Sequence, residues 1–216
     1  MQRAHRNLPS STAEHVRSAE AHLADGDPRA ALADLDLAFL ATPADPYLRL
    51  LRGRCLIMQG RTEAALAELN AAVALDSTMA DAWLQRALIR LDRSDWSTAE
   101  SDSSRALELD DTLARAWRNR GIARYRLGSL VEAAKDLYRA LDLEPDDPSA
   151  HYWRGLALRD AGYNQAAIAG FDDAIRLNDR YTEAYVARGK AHSNLGDMVA
   201  ARSDWTIAAQ LLHHSH

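Results

Sequence analysis

The sequence predicts an all-α chain, a solenoid of six helix-turn-helix repeats, and three observations predict it. A 34-residue pattern runs without insertion from Thr12 to Ser215, as units 12–45, 46–79, 80–113, 114–147, 148–181 and 182–215. A fixed period of that length is the signature of stacked helical units. Columns eight, twenty and twenty-seven of the unit hold only Ala or Gly, the sizes needed where helix backbones approach closely, since a glycine inside a helix otherwise costs about 1 kcal/mol. Column fifteen is Gly26, Gly60, Ser94, Gly128, Gly162 and Gly196; it falls between two apolar-periodic segments and reads as a helix-ending left-handed position.

Each element follows from this register. Residues 1–11 carry Arg3 and Arg6 but lack the apolar core of a signal peptide, so the segment is expected to be disordered and the protein cytoplasmic. The first helix is expected to start at Ser11, with Glu14 three positions on completing a capping box. In the second unit Cys55 stands where the other units have Ala or Ile, which predicts a buried, inert thiol. In the third, Ser103 replaces a large residue and predicts looser packing. In the sixth, Ile207, Leu211 and Leu212 form an apolar face on the last helix that a following helix would ordinarily cover. That face predicts either self-association through this end or a helix left partly exposed. His213, His214 and His216 lie on a fraying tail and are read as incidental.

The pattern resembles the tetratricopeptide-repeat (TPR) family. The fourth unit carries most of the motif, in Trp117, Gly121, Gly128, Ala133, Leu137, Ala140 and Pro145; Trp83, Tyr185, Phe171, Trp205 and Pro43 match elsewhere. The resemblance implies a right-handed superhelical solenoid, one continuous array over 12–215. One departure stands out: Arg52, Arg86, Arg120, Arg154 and Arg188 occupy column seven, where the family usually has Leu.

Composition narrows function. The formal charge of -5 argues against nucleic acid, whose binding needs a basic face. The lone cysteine excludes an intrachain disulfide, and no run of apolar residues is long enough to span a membrane. Phosphate-loop, nucleophile-elbow, zinc-pair and EF-hand motifs are missing. The neighbouring carboxylates Asp110 and Asp111, Asp146 and Asp147, and Asp172 and Asp173 are read as helix-terminal or surface acids. His15, His22, His151 and His192 are read as packed side chains. No catalytic residue, metal or cofactor is therefore expected.

Surface remains. In TPR arrays the first helices line a concave groove, and the resemblance assigns its lining here to Tyr47, Arg54, Gln85, Arg115, Arg118, Asn119, Tyr125, Arg126, Tyr152, Trp153 and Arg159. A groove apolar along its floor and basic in its middle suits a peptide or helix with apolar anchors and acidic residues. Arginine adds two-pronged recognition of carboxylate. Some co-chaperone members of the family grip a terminal carboxylate, and the corresponding positions are Leu50, Arg54, Gln85, Arg115 and Asn119, of which only Gln85 and Arg115 keep the expected chemistry. The expected function is a non-catalytic interaction scaffold or adaptor. The alternatives are self-assembly through the C-terminal unit, a carboxylate-clamp module and a regulatory subunit.

Overall fold

The structure of the protein is a computed structural model that describes residues 9–213. Among the described residues there are twelve helices and no strands. They are α1 Ser10–Ala24, α2 Pro28–Ala41, α3 Pro46–Met58, α4 Thr62–Leu75, α5 Ala80–Asp92, α6 Trp96–Leu109, α7 Ala114–Arg126, α8 Leu130–Leu143, α9 Pro148–Asp160, α10 Asn164–Leu177, α11 Thr182–Asn194 and α12 Met198–His213. Each helix packs on the next, and odd-numbered helices also touch the following odd-numbered helix. No two even-numbered helices touch among the described residues. The odd helices therefore line the inner, concave side and the even helices the outer side.

Local chemistry sets the turns. Column fifteen has positive φ throughout, from 61° at Ser94 to 90° at Gly162. Around Gly26 the amide of Asp27 donates to the His22 carbonyl at 2.8 Å and that of Gly26 to Leu23 at 3.3 Å, the pair of bonds that closes a Schellman helix end. Ser94 makes the same closure, with the Asp95 amide 2.8 Å from the Arg90 carbonyl, at the cost of putting a Cβ in the left-handed region. Three helices start with an Asp-Pro pair whose carboxylate caps free amides: Asp27, Asp45 and Asp147. The start of α1 differs from the sequence expectation. Pro9 is its N-cap with no side-chain bond, so Ser10 and Ser11 are helical and the Ser11–Glu14 capping box does not form. The remainder of the expected disordered segment lies outside the described residues, as do His214 and His216.

The small columns do pack against neighbours. Every alanine of column twenty is completely buried. At Gly155 an added Cβ would stand 2.6 Å from the Phe171 ring, a distance that no relaxed contact reaches. Ser103 is fully buried and its hydroxyl has no partner. Cys55 is also fully buried, and burial pushes its thiol up to about 11. His15 and His22 lie 3.6 and 3.7 Å from Asp34, and His151 Nε2 meets the Pro145 carbonyl at 2.9 Å.

Column seven has an unforeseen role. Arg86 Nε and Nη2 donate to Asp102 at 2.8 and 2.7 Å, Arg120 grips Asp136 at 2.8 and 2.9 Å, and Arg188 grips Asp204 at 3.0 and 2.6 Å. Arg52 Nε lies 3.3 Å from Glu68, an ion pair without the two-bond grip of the others. The same guanidinium groups reach back to the preceding even helix, to Asp36 from Arg52, to Asn70 from Arg86 at 3.0 Å, to Ser104 from Arg120 at 3.5 Å and to Asp172 from Arg188 at 2.5 Å. Each such arginine thus ties its own helix to the even helices on both sides. Trp83 and Trp117 lie under Arg86 and Arg120, with guanidinium carbons 4.5 and 4.6 Å from the ring centres. A leucine could supply none of these bonds.

Candidate functional site

Three cavities line the inner side. The first, of about 680 Å³, lies between α3, α5 and α7 and includes Tyr47, Leu50, Arg54, Gln85 and Arg115, with Asp81 and Glu144 at its edge. The second, of about 380 Å³, includes Trp96, Arg118, Asn119, Arg126 and Trp153. The third, of about 460 Å³, is lined by Tyr125, Tyr152, Arg159 and Lys190 and shares Arg126 and Trp153 with the second. Those two are therefore one continuous surface.

The aromatic side chains form a rigid wall. Tyr125 and Tyr152 each meet Trp153 edge-on, with centroids 5.5 Å apart, a geometry in which the positive edge of one ring faces the negative face of another. The Tyr125 hydroxyl donates to Asp160 at 2.7 Å. Burial first, and then Asp160, push that phenol up to about 12. Burial likewise raises Tyr152. Tyr47 donates to Glu20, and burial followed by that carboxylate raises its phenol strongly. These tyrosines stay neutral hydrogen-bond donors throughout the physiological range.

The basic middle of the groove is thinner than the sequence suggests. Arg118 pairs with Asp147 at 2.5 Å; that carboxylate uses its other oxygen to cap α9, accepting from Ser149 and Ala150 at 2.9 and 3.1 Å. Arg159 is held by Asp160 at 2.7 Å, and Gln85 donates to Asp81 at 3.0 Å. Asn119 is 2% exposed, too deeply set for a ligand to use freely. Of the five clamp positions, Leu50, Arg54, Gln85 and Arg115 share the first cavity while Asn119 opens on the second. Leu50 is itself buried.

Three guanidinium groups stay available. Arg54, Arg115 and Arg126 form no ion pair among the described residues. Arg126 lies between two rings, its guanidinium carbon 5.3 Å from the Trp96 centre and 5.0 Å from that of Trp153. Stacking on both sides orients the fork without using its hydrogen-bond donors. Sequence reasoning missed Trp96 because it opens an even helix, α6. Its signal was a tryptophan at a first-turn position.

At the C-terminal end Ile207 and Leu211 are half-buried and Leu212 is exposed. Leu212 also borders the third cavity. No helix is long and apolar enough to cross a membrane among the described residues. No cluster of three or more His, Cys, Asp or Glu able to hold a metal ion occurs among them either.

Comparison with known proteins follows the fold. Two family profiles, each described as Tetratricopeptide repeat, match residues 85–157 and residues 16–80 and 138–179. No curated protein matches the sequence. Among solved structures, PilW, described as a widely conserved type IV pilus biogenesis factor, superposes with a TM-score of 0.77 at 19% identity, covering 91% of each chain. YrrB, described as a TPR protein with an unusual peptide-binding site, gives 0.70 at 19% identity over 82% of this chain and 91% of its own. MamA from Desulfovibrio magneticus RS-1 gives 0.68 at 18% identity over 81% of this chain and 98% of its own. Similarity at these identities concerns the fold.

Proposed function

This chain belongs to the tetratricopeptide-repeat family, and from that premise we infer that it is a non-catalytic protein-interaction scaffold or adaptor whose inner groove binds a segment with apolar anchors and acidic residues. The observation that carries this reading is Arg126, stacked between Trp96 and Trp153 with no carboxylate of its own. It sits in a continuous cavity walled by Tyr125 and Tyr152. Rigid aromatic anchors beside an oriented arginine are the usual energetic centre of a protein contact. Arg54 and Arg115 offer a second acidic subsite in the neighbouring cavity. A cytoplasmic location is part of the same proposal.

Selection of peptides from a random display library on the intact protein tests it. Enrichment of Asp or Glu beside aromatic or aliphatic residues is expected, with loss of those peptides on Arg115→Glu, Arg126→Glu. Both arginines are exposed, so the variant should fold. Enrichment of basic peptides, or retention of the acidic ones by the variant, would overturn the reading. The residue set excludes Arg118, because a glutamate there would face Asp147 and report on helix docking instead.

A second reading, self-association through the last hairpin, is supported by exposed apolar side chains there: Val199 is 84% and Leu212 59% exposed. It predicts a mass that rises with concentration in sedimentation equilibrium and a monomer for Val199→Lys, Leu212→Lys. A constant monomeric mass for the unaltered protein would end it.

A further inference from the structure

The arginine ladder of column seven breaks at one place. In α9, Arg154 occupies the position from which Arg52, Arg86, Arg120 and Arg188 each reach an acid sixteen residues on. Sixteen residues beyond Arg154 stands Gly170, packed so close that an added Cβ would lie 3.3 Å from the His151 carbonyl oxygen. The carboxylate is missing, and a side chain at the position that would carry it would be in tight contact with α9. On its other side Arg154 meets Tyr138, its guanidinium carbon 5.6 Å from the ring centre, where the other arginines find a hydrogen-bond acceptor. Arg154 makes no ion pair among the described residues.

A cavity opens beside it. It holds about 320 Å³ on the outer side, between α8 and α9, and it is lined by Val131, Ala134, Tyr138, Leu158, Tyr163 and their neighbours. Its origin is one small side chain. Ala134 occupies column twenty-one of its unit, where the other units carry Leu32, Leu66, Glu100, Ile168 and Arg202. At the preceding junction Glu100 fills that space and bonds Arg124 at 2.8 Å; here Ala134 faces Leu158 and the space stays open. Val131, Tyr138 and Tyr163 are 52%, 59% and 62% exposed.

Charge decides what fits. The cavity's lining includes Arg154 and Lys135 but no Asp or Glu, in a chain whose formal charge is -5. Each of the three inner cavities, by contrast, has a carboxylate in its wall. We propose that this outer cavity is a second docking site, separate from the inner groove, for a partner peptide presenting an aromatic or aliphatic side chain next to an acidic one. The apolar side chain enters over Ala134 and Leu158, and the carboxylate pairs with Arg154 from the α8 side, the side on which Arg52 and Arg188 meet Asp36 and Asp172. Partial exposure keeps the pair weak alone, so the apolar contact and the charge act together.

The test is a titration of the full chain, followed by amide and arginine Nε–H resonances, with two capped tetrapeptides, acetyl-Ser-Phe-Asp-Ser-amide and the same peptide with Asn for Asp. The expected result is saturable shifts at Ala134, Leu158, Tyr163 and the Arg154 side chain, with the Asp peptide binding more tightly by roughly tenfold. Arg154→Gln should abolish the preference for Asp. Ala134→Leu, which restores the residue of the first two units, should abolish binding of both peptides. If Ala134→Leu does not fold, the preference lost in Arg154→Gln still decides. Equal affinity for the two peptides, shifts confined to the inner groove, or an unchanged preference in Arg154→Gln would overturn the proposal.

Discussion

A carboxylate buried as deeply as Asp136, 3% exposed, survives in the fold because three donors satisfy it: Arg120 through two bonds and Arg124 through a third at 2.8 Å. Removing one partner of a buried pair leaves the other charge desolvated, which costs about 3–5 kcal/mol. Asp136→Ala should therefore lower the free energy of unfolding in urea by that order, with a matching fall in the midpoint. Asp142→Ala, which breaks the exposed pair with Arg139, should cost no more than about 1 kcal/mol. Similar midpoints for the two variants would show that the ladder is dispensable. The ladder was present in the sequence and passed unread: Asp34, Glu68, Asp102, Asp136 and Asp204 share one column, sixteen residues after column seven. An acid on a helix reads as solvated until a fixed spacing to an arginine is sought. The pairing of Arg118 with Asp147 was less legible still, because it joins residues 29 apart across a helix junction whose geometry no period supplies.

At the scale of the element, the hairpin is set by two glycine-dependent features that the register did reveal. The turn needs a residue with positive φ, and the close approach of odd to even helix needs a missing side chain. The second claim is quantitative. Gly155→Ala should improve helix propensity by about 1 kcal/mol, yet its Cβ would stand 2.6 and 2.8 Å from two atoms of the Phe171 ring. Overpacking of this kind costs about 1–3 kcal/mol, so packing should win and the variant should melt at a lower temperature. A variant as stable as the parent would mean that Phe171 moves aside freely. What the register could not give was the start of α1, where proline geometry replaced a serine cap. Nor could it show which groove arginines stay unpaired, since that depends on rotamers and on acids at the helix ends, Asp160 for Arg159 and Asp147 for Arg118.

Across the described residues, helices contact one another within a hairpin or between neighbouring hairpins, and the result is two faces with different chemistry. The inner side joins aromatic walls to three unpaired arginines, Arg54, Arg115 and Arg126. Among the column-seven arginines that face the even helices, only Arg154 lacks an acid sixteen residues on. Odd helices touch one another and even helices do not, so the inner face is the one able to surround an extended ligand. Family membership and helix order were readable from the 34-residue period, whereas this division of charge was not, because it arises from pairing across units. The most direct measurement is the affinity of an acidic, aromatic peptide selected on the intact protein, taken in parallel for Arg126→Glu and Arg154→Gln. The inner-groove account predicts weakening by roughly tenfold or more for Arg126→Glu and no change for Arg154→Gln. Undiminished affinity in Arg126→Glu would contradict it.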